Sequence, residues 1–311
     1  MDLLVNKYRP KNVQEVVGNP QTVEMISLIV QSNDMPHLLF TGPPGTGKTT
    51  CAKMLAKTLL DNNPEGVLDL NASDERGIDT VRTTIKSFAQ RKVNCAFKII
   101  ILDEADSMTT AAQQAMRRIM EIHSNDCRFI LICNAFAKIF EPIQSRCAVL
   151  RFDKIDHSII FSRLSEISKY EVINITEEAL NLLTDLSDGD MRQALNILQA
   201  CINTSFTVDE EFIIKIIGLP SPRRIENILK KLMQSDIESA IAEFNQVWDE
   251  GFDASDLISS FFKACKRIEN YEILKIVGLA TMRISEGVNS KVQFYGLFND
   301  IVCINTNTPN A

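Results

Sequence analysis

Residues 42 to 49 read GPPGTGKT, which fits the spacing G-x-x-x-x-G-K-[ST]. That spacing suits a loop that cradles phosphates. Its glycines let the backbone curl with N–H groups pointing inward. The apolar run HLLFT precedes the loop and KTTCAKMLAKTLL follows it, so a strand should enter and a helix should leave. The helix N-terminus adds positive potential where an anion would sit. Gly42, Pro43, Pro44, Gly45, Thr46, Gly47, Lys48, Thr49 and Thr50 are therefore candidate nucleotide-binding residues. Lys48 is expected to reach the β- and γ-phosphates of ATP, and the Thr49 hydroxyl to hold Mg²⁺.

Residues 99 to 106 read IIILDEAD, four apolar residues and then acids. A buried strand ending in two carboxylates supplies what phosphoryl transfer to water needs. Asp103 would support the magnesium, and Glu104 would orient and activate the attacking water. A competing reading makes these acids the cap of the helix that SMTTAAQQAM begins, but Asp106 or Thr109 can serve there. Asn134 closes the later run FILIC, where its amide could donate to the water or to the γ-phosphate. Arg146 precedes the run AVLRF, with no obvious acidic partner within a few residues.

These groups need a scaffold. Short apolar runs at 37–42, 67–72, 98–106, 128–135 and 147–152 alternate with segments of helical periodicity. Alternation of this kind predicts a parallel sheet covered by helices on both faces. After Phe152 only helical patterns follow. Thr176, with Glu177 and Glu178 behind it, suits a helix start. Pro220 and Pro222 mark a linker. Five further helices are expected, at 222–234, 236–250, 253–268, 270–286 and 290–303. Three parts result: an α/β domain over 1–152, a small helical domain over 153–218 and a helical domain over 219–311.

Composition narrows the classes further. The chain has 311 residues, 45% of them hydrophobic and 23% charged, which is ordinary for a globular protein. No run of eighteen apolar residues indicates a membrane span. The N-terminus is too short and too charged for a secretory leader. Eight cysteines form no CxxC pair and several lie in apolar runs, which favours buried reduced thiols over zinc or disulfides. The net charge of −7 argues against indiscriminate nucleic-acid binding. It is unevenly spread: residues 1–150 hold 17 Lys+Arg against 16 Asp+Glu, and the remainder 16 against 24. Arg82, Lys86, Arg91, Lys92 and Lys98 follow one another with no acid between them, a possible basic surface.

Several motifs together resemble one family. KYRP (7–10), VVGN (16–19), GPPGTGKTT (42–50), NASDERGID (71–79), IILDEADSMT (100–109), QQAMRRIME (113–121), EPIQSRC (141–147) and GDMRQALNILQ (189–199) are similar to those of AAA+ ATPases, and more narrowly to the small subunits of replication factor C, the eukaryotic sliding-clamp loader. The match continues more sparsely through EGVNSKVQ (286–293).

The resemblance implies a P-loop AAA+ domain with a five-stranded parallel sheet, a helical lid carrying the second sensor, and an all-α collar. It implies an ATPase in a heteropentamer that loads a ring clamp onto primer–template DNA in the nucleus. Arg146 would act in trans, as a finger reaching a neighbouring subunit's ATP. Arg192 would be the second sensor, reaching the phosphates in cis. Val5, Arg9 and Val17 would cradle the adenine. Arg76, Arg82 and Lys138 would contact the DNA backbone without reading sequence. Two other readings are another AAA+ DNA-remodelling ATPase and a structural ATP-binding subunit with little turnover. Phe136 and Ala137 depart from the polar residue that many relatives place soon after the sensor asparagine.

Overall fold

The computed structural model describes residues 3–307 except 62, 74–77, 94, 203, 205 and 269. For residues 14, 78–82, 267 and 305–307 it describes the backbone alone. In chain order the elements run α1 (Leu4–Lys7), α2 (Pro20–Ser32), β1 (Leu38–Thr41), α3 (Lys48–Leu59), β2 (Val67–Asn71), α4 (Ile78–Gln90), β3 (Lys98–Asp103), α5 (Thr110–Ile122), β4 (Cys127–Cys133), α6 (Glu141–Gln144) and β5 (Ala148–Arg151). Helices follow: α7 (His157–Tyr170), α8 (Glu177–Ser187), α9 (Met191–Ala200), α10 (Glu210–Ile217), α11 (Pro222–Met233), α12 (Ile237–Asp249), α13 (Ala254–Ile268), α14 (Tyr271–Ser285) and α15 (Lys291–Asn307). Among the described residues no helix is long and apolar enough to cross a membrane. Contacts divide the chain into two units, one through Val208 and one from Asp209.

The first unit holds a five-stranded sheet in the order β2-β3-β4-β1-β5, every pairing parallel. The middles of the central strands, residues 38–40, 99–102 and 129–132, are apolar because both faces are covered. Successive side chains alternate between those faces. Leu38, Phe40, Ile99, Ile101, Ile130 and Ile132 pack on one side with Cys51, Ala52 and Leu55 of α3. Leu39, Ile100, Leu102, Phe129 and Leu131 pack on the other with Met116, Ile119 and Met120 of α5. The carboxyl ends of β1, β3 and β4 therefore rise together, which is where parallel sheets bind ligands.

Lys98 does not contribute to a basic surface. It is 7% exposed, at the first position of β3, and its ammonium donates to the carbonyls of Phe88, Ala89 and Arg91. It thus closes the C-terminus of α4, whose last carbonyls lack partners within the helix.

His37, just ahead of β1, accepts the backbone N–H of Phe129 at Nδ1 (3.2 Å) and packs edge-on against that ring. Burial, helped by the Arg128 guanidinium, holds its pKa below the usual imidazole value. The neutral ring is the native form, so its contribution is present above the unfolded pKa of about 6.5 and is lost as pH falls through the depressed native value. Thermal unfolding is expected to move to lower temperature between pH 7 and 5.5. His37→Gln, which can still accept from Phe129 and cannot protonate, should flatten that slope. An unchanged slope in the variant would show that another group sets it.

Thr176 caps α8, its hydroxyl accepting the N–H of Ala179, as its sequence context predicts. In the second unit α11 to α15 fall within a few residues of their expected positions. Their core centres on Phe244, whose ring lies 4.9 Å from Phe294 and 5.0 Å, edge to face, from Phe298. Ile258 and Phe261 are buried inside this unit, and Phe262 and Leu274 pack partly buried against it.

Candidate active site

The loop between β1 and α3 bends where its sequence permits. Gly45 has φ +69°, and a Cβ there would stand 1.6 Å from Oδ1 of Asp190. A side chain at position 45 is thus excluded twice, by backbone conformation and by space. Asp190 is the N-cap of α9 and accepts the N–H of Gln193 (3.0 Å). The helix that carries Arg192 therefore begins against the loop.

Lys48 is buried. Its ammonium donates to the carbonyls of Gly42 (2.7 Å) and Pro43 (2.6 Å), so it is held within the loop. Burial draws its pKa down, Asp103 opposes that shift, and Arg192 reinforces it. Thr46 donates to the Pro43 carbonyl (2.9 Å), bracing the same turn. The Thr49 hydroxyl donates to Oδ2 of Asp103 (2.8 Å), so two hard oxygen donors from different elements meet beside the loop.

Glu104 follows Asp103 in a left-handed conformation, φ 55° and ψ 39°. Its N–H donates to Oδ1 of Asp103 (2.9 Å), and its carbonyl accepts from the Ser107 hydroxyl (2.7 Å). The backbone is thereby fixed while the carboxylate stays exposed. Thr109, not Asp106, caps α5. Asp106 is used elsewhere: its Oδ2 accepts the N–H groups of Asn134 (3.2 Å) and Ala135 (3.0 Å). It ties the end of β4 to the end of β3. Sequence reasoning assigned Asp106 no such role. The motif marked it only as a spare cap, and its partners lie 28 and 29 residues away.

One cleft gathers most of the expected residues. Pro44, Gly45, Thr46, Gly47, Lys48, Thr49 and Thr50 line it, with Asp103, Glu104 and Asn134 at the strand ends and Arg192 on α9. Val5, Arg9 and Val17 also line it, and Arg9 donates from Nε to the Thr50 hydroxyl (3.2 Å). Gly42 and Pro43 lie beneath, as acceptors for Lys48. Sequence reasoning missed Tyr8, Pro10, Val16, Ile155, Arg163, Ile167, Met191 and Leu195, which complete the lining. Helical spacing held part of that signal, since Arg163 and Ile167, and Met191 and Leu195, are pairs four residues apart. Tyr8 donates to Glu171 Oε1, which also receives Lys7, both at 2.6 Å. Burial and that bond push the Tyr8 phenol up to about 12. The contact secures the N-terminal segment to Glu171, the residue that closes α7.

Arg146 is not in this cleft. Sequence offered it no nearby acid, but the fold supplies one: Nη2 meets Glu121 Oε1 at 2.6 Å, and Nη1 donates to the Pro142 carbonyl at 2.7 Å. Lys138 is exposed in the short turn Phe136–Lys138. Arg76 and the Arg82 side chain lie outside the described residues.

The arrangement can hold a nucleoside triphosphate between a phosphate loop, two strand-end acids and the arginine of α9. Comparison with known proteins agrees. Residues 38–155 match the model for the "ATPase family associated with various cellular activities", and residues 220–299 match the replication factor C C-terminal domain. Replication factor C subunit 4 of Encephalitozoon cuniculi is 69% identical over 97% of this chain and 98% of its own. The chain belongs to the replication factor C family. Replication factor C subunit 2 of Arabidopsis thaliana is 45% identical over 94% and 91% of the two chains, and subunit 4 of Saccharomyces cerevisiae is 40% identical over 97% and 96%. Residues 8–67 also match the P-loop domain model of the Holliday junction helicase RuvB. The Thermotoga maritima RuvB branch migration motor superposes with a TM-score of 0.57 at 16% identity, over 73% of this chain and 79% of that one. That likeness establishes a shared fold. This replication factor C family chain is thus a nucleotide-binding AAA ATPase.

Asp106 offers a test of how its site is held. In Asp106→Ala the two N–H groups at Asn134 and Ala135 lose their acceptor. Turnover should fall by about 10- to 100-fold with the KM for ATP little changed, because small displacements near reacting atoms are costly. Equal loss of nucleotide binding would instead show that Asp106 shapes the cleft.

Proposed function

We propose that this chain is one subunit of a heteropentameric clamp loader of the eukaryotic nucleus, in which ATP binding and hydrolysis drive a ring clamp onto primer–template DNA. The observation that carries this reading is an intact hydrolytic set, Lys48, Asp103 and Glu104, in a chain whose C-terminal unit matches the replication factor C C-terminal domain.

In this reading residues 1–152 bind ATP, 153–218 act as the lid, and 219–311 assemble the collar. Val5, Arg9 and Val17 hold the adenine, and the loop from Gly42 to Thr50 takes the phosphates. Thr49 and Asp103 fit a magnesium ion, since they place a hydroxyl and a carboxylate 2.8 Å apart beside the loop. Among the described residues no cluster of three or more His, Cys, Asp or Glu forms a metal cage. That suits a cation that keeps waters and phosphate oxygens as its other ligands. Bound there, magnesium would neutralise charge on the phosphates. Glu104 accepts a proton from the attacking water, Asn134 orients that water, and Arg192 reports the phosphates to the lid. Arg146 stabilises developing charge in a neighbour's site. Arg76, Arg82 and Lys138 contact DNA phosphates. The fully equipped cleft favours turnover over a purely structural role.

The test is ATP turnover by the natively purified complex, with and without sliding clamp and primer–template DNA. Strong stimulation that needs both supports clamp loading. Turnover indifferent to the clamp would overturn it and favour another DNA-remodelling ATPase.

A further inference from the structure

Glu121 lies in the last turn of α5, where the helix dipole disfavours a carboxylate. Its Oε1 accepts from Arg117 Nε at 3.0 Å and from Arg146 Nη2 at 2.6 Å. Arg117 is on the same helix, one turn back. Arg146 comes from the chain just past α6, 25 residues later. The two guanidinium groups hold the carboxyl below the usual carboxylate range, Arg117 contributing most.

The geometry leaves Arg146 able to act. A guanidinium has five N–H donors in a fixed plane. Two are engaged, one by Glu121 and one by the Pro142 carbonyl. The other three have no partner among the described residues, on a side chain that is 35% exposed. Contacts on both Nη atoms fix the plane of the fork, which a lone exposed arginine would not have.

We infer that Glu121 is a positioning residue: from within its own subunit it fixes the guanidinium plane of Arg146, presenting the remaining donors to a phosphate on a neighbouring chain. This rests on the reading of Arg146 as a finger in trans. Glu121 touches no nucleotide and acts through Arg146 alone. Arg117 keeps the carboxylate ionised and in place.

The experiment uses the whole complex with Glu121→Ala, Glu121→Gln, Arg146→Ala and the double variant Glu121→Ala/Arg146→Ala, measured for ATP kcat, KM and thermal unfolding. Let the kcat lost in Arg146→Ala be the reference. Glu121→Ala is expected to lose most of it, and Glu121→Gln less, because the amide oxygen still accepts a hydrogen bond. KM and the unfolding temperature should stay at wild-type values. The double variant should be no slower than Arg146→Ala. If Arg146→Ala is slow and Glu121→Ala turns over at the wild-type rate, the finger stands and the positioning role is overturned. If the double variant is slower still, Glu121 acts by another route and the inference also fails. Wild-type turnover in Arg146→Ala would instead overturn the finger reading itself.

Discussion

Arg146→Ala is expected to slow ATP hydrolysis at the neighbouring subunit's site by about 10³- to 10⁵-fold, the range over which arginine fingers act. Nucleotide binding in the mutated subunit's own cleft should be unaffected, because Arg146 lies outside the lining of that cleft. The size follows from chemistry: charge spreads over the transferred phosphoryl oxygens, and a planar donor fork meets two of them at once. Arg146→Lys is not expected to restore the rate. A lysine cannot hold Glu121 and the Pro142 carbonyl in one plane and still present donors outward. The measurement is site-resolved turnover, with the P-loop lysine of each partner subunit removed in turn. Loss confined to one partner's site supports action in trans. Loss within the mutated chain's own site would contradict it.

Glu104→Gln is the second large effect. Turnover at this chain's own site should fall by about 10²- to 10⁴-fold, the usual contribution of a positioned general base. Binding of ATP should persist, since the loop, Lys48 and Thr49 are unchanged. The local backbone makes the variant clean: two hydrogen bonds to main-chain atoms set Glu104 in place, and neither uses its carboxylate. The left-handed conformation at φ 55° costs about 1–3 kcal/mol for a residue with a side chain. Glu104→Gly should therefore be inactive and slightly more stable to heat. An active Glu104→Gln, measured by single-turnover hydrolysis, would move the base elsewhere.

The sequence made the sheet legible because both faces of it are buried. IIILD and FILIC announce strands by unbroken apolar runs, and the acids that end the first mark the site. The phosphate loop was legible by spacing alone. What stayed hidden depends on distances along the chain. Asp106 looks like a helix cap until the fold brings β4 alongside β3. Arg146 looks unpaired until α5 presents Glu121. Lys98 looks like one cation in a basic stretch, yet it sits at a strand's first residue, where the fold turns it onto the carbonyls that end α4. The place of Val5 and Val17 in the cleft lining was legible only through family motifs, because they differ in no local way from ordinary core residues. Tyr8, just past α1, and Arg163, on α7, reach the cleft through tertiary packing, which periodicity alone does not orient.

The meeting of Gly45 and Asp190 restricts how this sequence can drift. Asp190 cannot swing away from the loop without uncapping α9, because the same oxygen that lies over Gly45 accepts the Gln193 N–H. A methyl group at position 45 would therefore be felt at Arg192, two residues past the cap. Variation at 45 is expected to need both a shorter residue at 190 and a newcomer, such as Asn, that accepts φ +69°, so the two positions form a single heritable unit although 145 residues separate them.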